Sequence, residues 1–327
     1  MSAEQEMIAT LSAVYHRTPL GQFPTPVTHP AARDFGFANL WVKRDDLSSS
    51  VYGGNKVRKL EFLLSASSRP ILTFGPLGSH YVYSTARHAA TLGRRTAAVL
   101  VPQHMTPHHE EIHRRIRQLC RPVVTLQGTP RSAAGVFQLL HSMVSPAETR
   151  YEILAPGGSS PRGTLGYVIG ALELAAQVRA GELPAPRKVF VPLGTGGTAV
   201  GIAIGLALAG LDTETVAVRV VPRTALPEAA LWVLGRRTLG MIGKAGIAVP
   251  AIGRVRWTVE NGFSNRYAVP TVEAQQAVSL GANCGVALET TYSAKTMAAL
   301  LACAARNRNC NEPYLFWQTF AENEDIS

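Results

Sequence analysis

The stretch Tyr52-Gly53-Gly54-Asn55-Lys56-Val57-Arg58-Lys59-Leu60-Glu61 says most about the fold of this chain. Lys56 follows two glycines, which let the main chain approach a ligand closely, and it precedes the start of an amphipathic helix pattern. Desolvation at the floor of a cleft, together with the nearby cations Arg58 and Lys59, would lower the pKa of this lysine and free its amine for Schiff-base chemistry. A surface lysine beside a turn fits the same residues, since Gly-Gly-Asn is a common turn signal.

Length and composition indicate a globular protein with a sizeable core. A chain of 327 residues that is 46% hydrophobic suits two domains, or one large α/β unit with a subdomain. The net charge is +10, but no basic arm is interleaved with aromatic residues. We therefore expect no nucleic-acid partner, and an anionic ligand accounts for the charge equally well.

The cysteines and the apolar stretches bear on the compartment. No two of the four cysteines have metal-ligand or redox-motif spacing, which favours reduced thiols in a cytosol; they are Cys120, Cys284, Cys303 and Cys310. The N-terminal residues lack the apolar core of a secretory signal. The apolar stretch 200–211 is shorter than the roughly 20 residues that a membrane span needs. The expectation is a soluble, cytoplasmic protein without a membrane partner.

Apolar runs typical of strands alternate with helical patterns along the chain. The strands are expected at 40–43, 71–74, 97–101, 123–126, 151–154, 189–193 and 216–221, and the helices at 81–92, 108–119, 132–143 and 163–179. This alternation predicts parallel sheets with helices on both faces. Loop-like composition at 47–50 and 156–161 brackets a segment that would be a smaller domain inserted in a larger one.

A glycine loop, Gly194-Thr195-Gly196-Gly197-Thr198-Ala199, follows the predicted strand 189–193 and precedes a helix. Backbone N–H groups beside a helix N-terminus form a phosphate cradle. The spacing of Gly194, Gly196 and Ala199 also fits a dinucleotide-binding fold. That fold needs an acidic residue after the next strand, where this chain has Arg223. A single phosphate is therefore preferred to a dinucleotide.

The run His109-Glu110-Glu111-Ile112-His113 matches the pattern of a zinc-protease helix. Catalytic zinc needs three protein ligands and an open position. No Glu or His lies about 20 residues downstream to serve as the third ligand. We interpret the match as chance and predict no metal.

Three further residues complete the candidate site. Ser79 is a plausible N-cap of the helix after strand 71–74, and that terminus would hold a carboxylate. Tyr267 and Tyr292 lie in loop-like stretches before helices. Both tyrosines are ordinary packing residues unless they face Lys56.

Several motifs, taken in order, resemble the 1-aminocyclopropane-1-carboxylate deaminase/D-cysteine desulfhydrase family of pyridoxal-phosphate enzymes. The stretches that carry the resemblance are 23–26 (Phe-Pro-Thr-Pro), 41–47 (Trp-Val-Lys-Arg-Asp-Asp-Leu), 53–61, 156–167, 194–198 and 292–297 (Tyr-Ser-Ala-Lys-Thr-Met). The match covers nearly the whole chain. It implies an α/β fold of two parallel-sheet domains, each of three layers, of the tryptophan synthase β-like fold type II. The large domain would comprise residues 1–48 and 162–327, and the small inserted domain residues 49–161.

The resemblance implies a cofactor, pyridoxal 5'-phosphate (PLP), and a homodimer. Lys56 would form the Schiff base with PLP, and Lys59 with the glycine loop would bind the phosphate. Tyr267 and Tyr292 would be paired active-site tyrosines, and Ser79 would bind the carboxylate of a small amino acid. The complete implied cofactor-binding set is Asn55, Lys56, Lys59, His80, Gly194, Thr195, Gly196, Gly197, Thr198, Ser293 and Thr319.

The residue after Tyr292 separates branches of the family. Deaminases carry glutamate there, near the pyridine nitrogen, and desulfhydrases carry threonine; this chain has Ser293. A hydroxyl suits loss of a good leaving group such as thiolate. The resemblance thus implies α,β-elimination of a D-cysteine-like substrate to pyruvate, ammonia and sulfide. The alternatives are ring opening of 1-aminocyclopropane-1-carboxylate, a specialised β-replacement enzyme, and a non-catalytic PLP-binding protein.

This chain departs from the family at several positions of the site. His80 stands where the family has an asparagine that hydrogen-bonds the phenolic oxygen of the cofactor. A neutral imidazole can donate one such bond but is bulkier. Phe320 and Ala321 replace paired glycines after Thr319, which would crowd the rim of the cofactor site.

Overall fold

Helices and strands alternate along the computed structural model, which describes residues 2–65, 67–126, 151–263, 267–306 and 312–321. The strands are β1 (Val27–Thr28), β2 (Leu40–Arg44), β3 (Ile71–Pro76), β4 (Thr96–Val101), β5 (Cys120–Thr125), β6 (Glu152–Ile153), β7 (Lys188–Leu193), β8 (Glu214–Arg219), β9 (Trp257–Glu260) and β10 (Tyr314–Gln318). The helices are α1 (Ala3–Val14), α2 (Ala32–Phe35), α3 (Lys56–Leu63), α4 (His80–Thr91), α5 (Pro107–Leu119), α6 (Pro161–Arg179), α7 (Gly197–Leu208), α8 (Glu228–Lys244), α9 (Val272–Ala282) and α10 (Ser293–Arg306). The predicted helix 132–143 lies outside the described residues. No helix in the described ranges is long and apolar enough to cross a membrane.

The strands form two sheets. The larger has the order β1-β2-β10-β7-β8-β9 and the smaller the order β5-β4-β3-β6. All described neighbours pair in parallel, except that β1 pairs antiparallel with β2 at one edge. The predicted α/β fold with two mainly parallel sheets is confirmed. The smaller sheet uses only residues 71–153, which agrees with an inserted domain, but the domain boundaries themselves stay a prediction.

Two predicted strands are shifted along the sequence. The strand expected at 123–126 already begins at Cys120 and ends at Thr125, and the strand expected at 216–221 runs from Glu214 to Arg219. In both cases the pairing partner fixes the bounds, since β5 pairs along β4 from Thr96 and β8 pairs along the whole of β7. Apolar runs alone do not locate the ends of a strand whose flanking residues are polar.

Helix α3, which begins at Lys56, packs against α6 at very short range. Gly166 makes this possible, because a Cβ atom there would overlap the carbonyl of Arg58. One turn later, a Cβ on Gly170 would lie 3.2 Å from the Arg58 side chain. The glycines of α6 therefore bring the backbone of α3 into the core and fix the position of its first residue.

A buried network of charges anchors α3. Arg58 is 1% exposed and donates to both oxygens of Asp45, at 2.8 and 2.9 Å, and to both oxygens of Glu173, at 2.9 and 3.0 Å. Lys43 donates to Glu173 at 2.5 Å, and the hydroxyl of Thr25 donates to Asp45 at 2.9 Å. Two buried carboxylates thus face two buried cations, and they tie the N-terminal segment, β2, α3 and α6 together.

The same network makes the free energy of unfolding depend on pH. Burial alone would raise the pKa of Glu173, but the charges and hydrogen bonds of Arg58 and Lys43 outweigh it and lower the pKa to about 2. A carboxylate with a depressed folded pKa contributes stability that is complete above its unfolded pKa of about 4.3 and is lost as the pH falls towards 2. We expect urea unfolding to report a loss of about 3 kcal/mol from this group over that interval.

The variant Glu173→Gln tests this acid dependence. It should unfold more easily at pH 7, because Arg58 and Lys43 lose a carboxylate, and its stability should fall less steeply below pH 4.3. The exposed Glu110→Gln, on α5, is the matched control and should keep the wild-type slope. An unchanged slope in Glu173→Gln would contradict the assignment.

Candidate active site

A cavity of about 400 Å³ lies at the carboxyl ends of strands from both sheets, where α/β proteins place their ligand sites. Its walls come from the segments that follow β3, β4, β7, β8 and β10 and from the start of α3. Its lining residues are Tyr52, Gly53, Asn55, Lys56, Lys59, Phe74, Gly75, Pro76, Gly78, Ser79, His80, Tyr81, Val101, Pro102, Gln103, His109, Pro156, Gly157, Pro192, Gly194, Thr195, Gly196, Thr198, Val221, Pro222, Ala225, Tyr267, Glu289, Tyr292, Thr319, Phe320 and Ala321.

Lys56 is the first residue of α3, and its side chain lines the cavity. Burial lowers the pKa of its ammonium group to about 8, and the charge of Glu289 opposes this shift. At neutral pH a minor fraction of the amine is therefore unprotonated and can act as a nucleophile. The predicted contribution of Arg58 was wrong: its guanidinium lies in the buried network with Asp45 and Glu173, away from the cavity.

The predicted glycine loop connects β7 to the N-terminus of α7 beside Lys59. Gly196 caps the helix in the left-handed conformation, with φ of +90°, which favours glycine. The N–H of Gly197 donates to Ser159 Oγ at 3.0 Å, and Ser159 Oγ lies 2.7 Å from Thr195 Oγ1. Hydroxyls and helix N–H groups thus converge at one end of the cavity, which is the arrangement of an anion site.

Lys59 shows that this end of the cavity suits a phosphate. It is 2% exposed, and its Nζ donates to two uncharged acceptors, Gly157 O at 3.1 Å and Ser159 Oγ at 3.3 Å. Burial and the charge of Lys56 lower the pKa of Lys59 well below its usual value. A dianion at the helix terminus would favour the protonated form of Lys59, so the residues present fit the phosphate of PLP.

The structure brings the two predicted tyrosines together at the same cavity. The hydroxyls of Tyr267 and Tyr292 are hydrogen-bonded, and the two rings meet edge to face with centroids 6.0 Å apart. Burial raises the pKa of both phenols, that of Tyr267 to about 12. Both tyrosines are therefore protonated at neutral pH, and one hydroxyl donates to the other. Arg266, which precedes the pair, lies outside the described residues.

Ser79 caps α4, whose N-terminus faces the cavity. Its Oγ accepts a hydrogen bond from the N–H of Val82 at 3.4 Å, and the residue lines the cavity. The positive end of the helix dipole is therefore directed at bound ligand, as a substrate carboxylate would require. The role of Ser79 stays a prediction.

His80 follows Ser79 and makes contacts that its predicted role did not include. Its Nδ1 lies 2.5 Å from the hydroxyl of Tyr52, and its Nε2 lies 3.3 Å from Nε2 of His108. Burial, with the charges of two neighbouring histidines and Lys56, lowers the pKa of His80 to about 3. The ring is neutral at neutral pH with both nitrogens engaged, so a bond to the phenolic oxygen of the cofactor would compete with these partners.

Ser293, an implied cofactor residue, does not line the cavity, whereas Glu289, which the sequence analysis did not consider, does. Ser293 is fully buried, its Oγ accepts from the N–H of Glu289 at 2.8 Å, and it is absent from the described lining. Glu289 is the one carboxylate among the described lining residues. It accepts from the N–H groups of Thr291, Tyr292 and Ser293 at 2.7 to 2.8 Å. An acidic residue just before a helix is a capping signal, which the sequence contained and the interpretation missed.

Asn55 and Thr319, two other predicted cofactor residues, lie at the rim of the same site. The side-chain amide of Asn55 donates to Thr198 Oγ1 at 3.3 Å, and its backbone N–H donates to the carbonyl of Thr319 at 3.0 Å. Thr319 lines the cavity. Every predicted site residue except Gly197 and Ser293 therefore appears in the described lining.

The charge of Glu289 affects the pKa of Lys56, and the effect can be measured. Because its charge raises the pKa of Lys56, Glu289→Gln should lower that pKa further below about 8. The glutamine oxygen keeps part of the helix cap. The pH dependence of the modification of Lys56 by an amine-reactive reagent, in protein without PLP, measures the shift. Glu273→Gln, an exposed glutamate at the start of α9, is the matched control; a Lys56 pKa equal in both variants would contradict the effect.

The zinc-protease-like run has a structural role at its first histidine. His109 Nδ1 pairs with Thr106 Oγ1 at 3.1 Å and closes the N-terminal cap of α5. Within the described ranges, no group of three His, Cys, Asp or Glu side chains is arranged to hold a metal ion.

Comparisons with known proteins agree with this geometry. Residues 18–312 match the family model described as pyridoxal-phosphate dependent enzyme. The D-cysteine desulfhydrase of Salmonella paratyphi A is 30% identical over 306 residues, which cover 90% of this chain and 91% of that protein. The nocardicin C-9' epimerase of Nocardia uniformis subsp. tsuyamanensis is 31% identical over 322 residues, which cover 94% and 93% of the two chains.

Solved structures give the same picture of the fold. A crystal structure of an ACC deaminase homologue superposes with a TM-score of 0.81 at 25% identity, over 98% of this chain and 95% of that one. The processed threonine deaminase isoform 2 of Solanum lycopersicum superposes with a TM-score of 0.65 at 16% identity, over 99% and 91% of the two chains. The second likeness concerns the fold alone.

Proposed function

The chain belongs to the family of pyridoxal-phosphate dependent enzymes, in the group of the D-cysteine desulfhydrases and ACC deaminases, and from this premise we propose that it removes a β-substituent from a small amino acid. The observation that carries the proposal is the pairing, in one cavity, of the partly unprotonated Lys56 with an anion site at Lys59. With a D-cysteine-like substrate, the amino acid and water would give pyruvate, ammonia and hydrogen sulfide.

Different residues of this chain would bind the substrate and transfer its protons. Bound PLP supplies an electron-withdrawing group that stabilises negative charge at the Cα atom of the substrate. Ser79 and the N-terminus of α4 hold the substrate carboxylate. Lys56 takes the Cα proton. The protonated pair of Tyr267 and Tyr292 donates hydrogen bonds to the β-substituent and supplies the proton that the leaving sulfur carries away.

Product analysis tests the proposal. Purified protein supplied with PLP is incubated with D- and L-cysteine, and pyruvate, ammonia and sulfide are measured. Equimolar release of the three from one enantiomer supports elimination. Release of 2-oxobutyrate from 1-aminocyclopropane-1-carboxylate, with no pyruvate from cysteine, would show that the protein catalyses ring opening and not elimination. This substrate is included because the Glu289 carboxylate lines the cavity. Absence of turnover of any amino acid would overturn the proposal.

Epimerisation at Cα is a second candidate. It is favoured by the likeness to an epimerase at 31% identity over 94% of the chain. It is also favoured by a histidine, His80, in the cavity wall, since inversion needs an acid–base group besides the lysine. Chiral analysis of amino acids recovered from the same incubations separates inversion from elimination.

We also propose that the protein is a homodimer of the cytoplasm. Cys120 and Cys284 carry free thiols, as in proteins of reducing compartments. Light scattering after size-exclusion chromatography should give twice the 35.0 kDa of one chain. A mass of one chain across the working concentration range would overturn the dimer.

A further inference from the structure

Three side chains form a hydrogen-bonded series that starts at the cavity wall and has no part in the elimination described above. The hydroxyl of Tyr52 lies 2.5 Å from His80 Nδ1, and His80 Nε2 lies 3.3 Å from His108 Nε2. Tyr52 and His80 line the cavity. His108, the second residue of α5, lies behind them and is partly exposed. The series, here called the Tyr52 relay, therefore leads from the cavity towards solvent.

The rings of the relay are held in place by aromatic contacts. Tyr52 is 3% exposed and meets the edge of Tyr83 with centroids 4.9 Å apart. His80 stacks on His108 with centroids 5.1 Å apart, and Phe320 meets His80 edge-on at 5.6 Å. Fixed rings keep the donor and acceptor atoms aligned, as proton transfer requires.

Neither inner member of the relay carries a charge at neutral pH. Burial raises the pKa of Tyr52 and lowers the pKa of His80 to about 3. A proton can therefore cross only if each group gains one proton as it loses another. His108 Nε2 donates to His80 Nε2, His80 Nδ1 donates to the oxygen of Tyr52, and the Tyr52 hydroxyl proton passes into the cavity. At each group one bond to hydrogen breaks and one forms, so the charge of each group is unchanged.

We propose that Tyr52 is a second acid–base residue of the site, which exchanges a proton with the Cα atom of the bound amino acid, and that His80 and His108 connect it to solvent. The inference rests on the proposed function, because that function makes Lys56 the first acid–base residue of the site, the one that takes the Cα proton. The two groups contact different helices. Lys56 begins α3, which packs on α6, whereas the hydroxyl of Tyr52 is hydrogen-bonded to His80 on α4.

The relay predicts proton exchange that Lys56 alone would not perform. When Lys56 takes the Cα proton and Tyr52 returns another from its own side, the amino acid keeps its composition and its configuration inverts. The reverse transfer acts on the other enantiomer. With two acid–base groups the holoenzyme exchanges the Cα proton of both enantiomers; with one, it exchanges only that of the enantiomer whose Cα proton faces the group.

Alanine in deuterium oxide tests the relay, because alanine has no β-substituent to lose. Proton NMR follows loss of the Cα–H signal of D- and L-alanine in the presence of holoenzyme. Tyr52→Phe should slow the exchange of one enantiomer about 100-fold, through kcat rather than KM, while the other enantiomer keeps its wild-type rate. His80→Asn and His108→Gln should slow the same enantiomer. Tyr83→Phe, which removes a neighbouring hydroxyl outside the relay, is the matched control.

A second readout needs no cofactor. Nitrogen-15 NMR of the histidine rings in the apoprotein should show a single neutral tautomer of His80, with the hydrogen on Nδ1. Tyr52→Phe and His108→Gln should each convert this signal to a mixture of tautomers, whereas Tyr83→Phe should not. A mixture already present in the wild type would contradict the relay.

The outcomes separate the relay from the function on which it rests. If the wild type exchanges only one enantiomer, or if Tyr52→Phe and His108→Gln leave both rates unchanged, the relay is overturned and the elimination stands. Equal losses in Tyr52→Phe and Tyr83→Phe would assign the effect to packing and likewise overturn it. If wild-type protein neither gains a visible absorption band with PLP nor exchanges any amino acid, the proposed function falls, and the relay falls with it.

Discussion

Replacement of Lys56 by alanine is expected to abolish both covalent attachment of PLP and turnover. The amine of Lys56 is the group that would bind the cofactor aldehyde and take the Cα proton, and its pKa of about 8 suits both tasks. Loss of a proton-transfer group alone costs up to about 10⁴-fold in rate, and loss of the attachment point adds to this. The visible absorption band of the holoenzyme should be absent, and the kcat for elimination should fall by at least that factor.

Two comparisons make the Lys56 result specific. Lys56→Arg keeps a positive charge but cannot attach PLP, so it should be as inactive as Lys56→Ala. Lys244→Ala, an exposed lysine at the end of α8, should retain the band and the rate. A visible band in Lys56→Ala that borohydride reduction fixes to another lysine would move the attachment site.

Replacement of Arg58 by methionine is expected to cost about 3–5 kcal/mol of unfolding free energy, because it leaves Asp45 and Glu173 buried without their shared partner. Arg58 also lies on the ring of Phe23, 4.2 Å from its centroid, so the N-terminal segment loses a contact. Urea denaturation measures the change. Arg58→Lys should recover only part of it, since an ammonium group cannot donate to two carboxylates in the planar geometry of guanidinium.

The control for Arg58 lies on the surface. Arg114 pairs with Glu111 on α5 with its side chain 59% exposed, and such exposed pairs contribute little to stability. Arg114→Met should therefore leave stability nearly unchanged. A cost for Arg58→Met no larger than that for Arg114→Met would show that the buried network does not hold α3.

Helix periodicity explains why Lys59 lines the cavity and Arg58 does not. Successive residues of a helix are separated by about 100° around its axis. Arg58 is therefore about 200° from Lys56 and faces the core, whereas Lys59 at about 300° returns to the cavity side. The sequence interpretation placed both cations near enough to Lys56 to lower its pKa, although their spacing alone already separates them around the helix axis.

The strands and the glycine loop were accessible from sequence because their signals are local. Alternating apolar runs and turn glycines each act within a few residues, and the parallel sheets are confirmed. The contacts of His80 were not accessible in this way. They join residues 52, 80 and 108, which come together only when α4 and α5 pack, and no local pattern encodes that meeting.

The family motifs at 41–47 and 53–61 gain a physical explanation from the network. Lys43, Asp45 and Arg58 do not line the cavity; they form the buried charges that seat α3. Lys56 and Lys59, on the other side of that helix, line the site. The motif 53–61 thus contains both Arg58, which anchors α3, and the two lysines that line the cavity.

The anion site around the buried amine of Lys59 also affects how long the protein survives. A ligand that binds only the folded state adds about 2.7 kcal/mol of stability at a hundred times its Kd. PLP bound with its phosphate at Lys59 belongs to this class, so in cells short of vitamin B6 the protein would be less stable and proteases would degrade it more readily. Supply of the vitamin would then set the abundance of the protein as well as its activity.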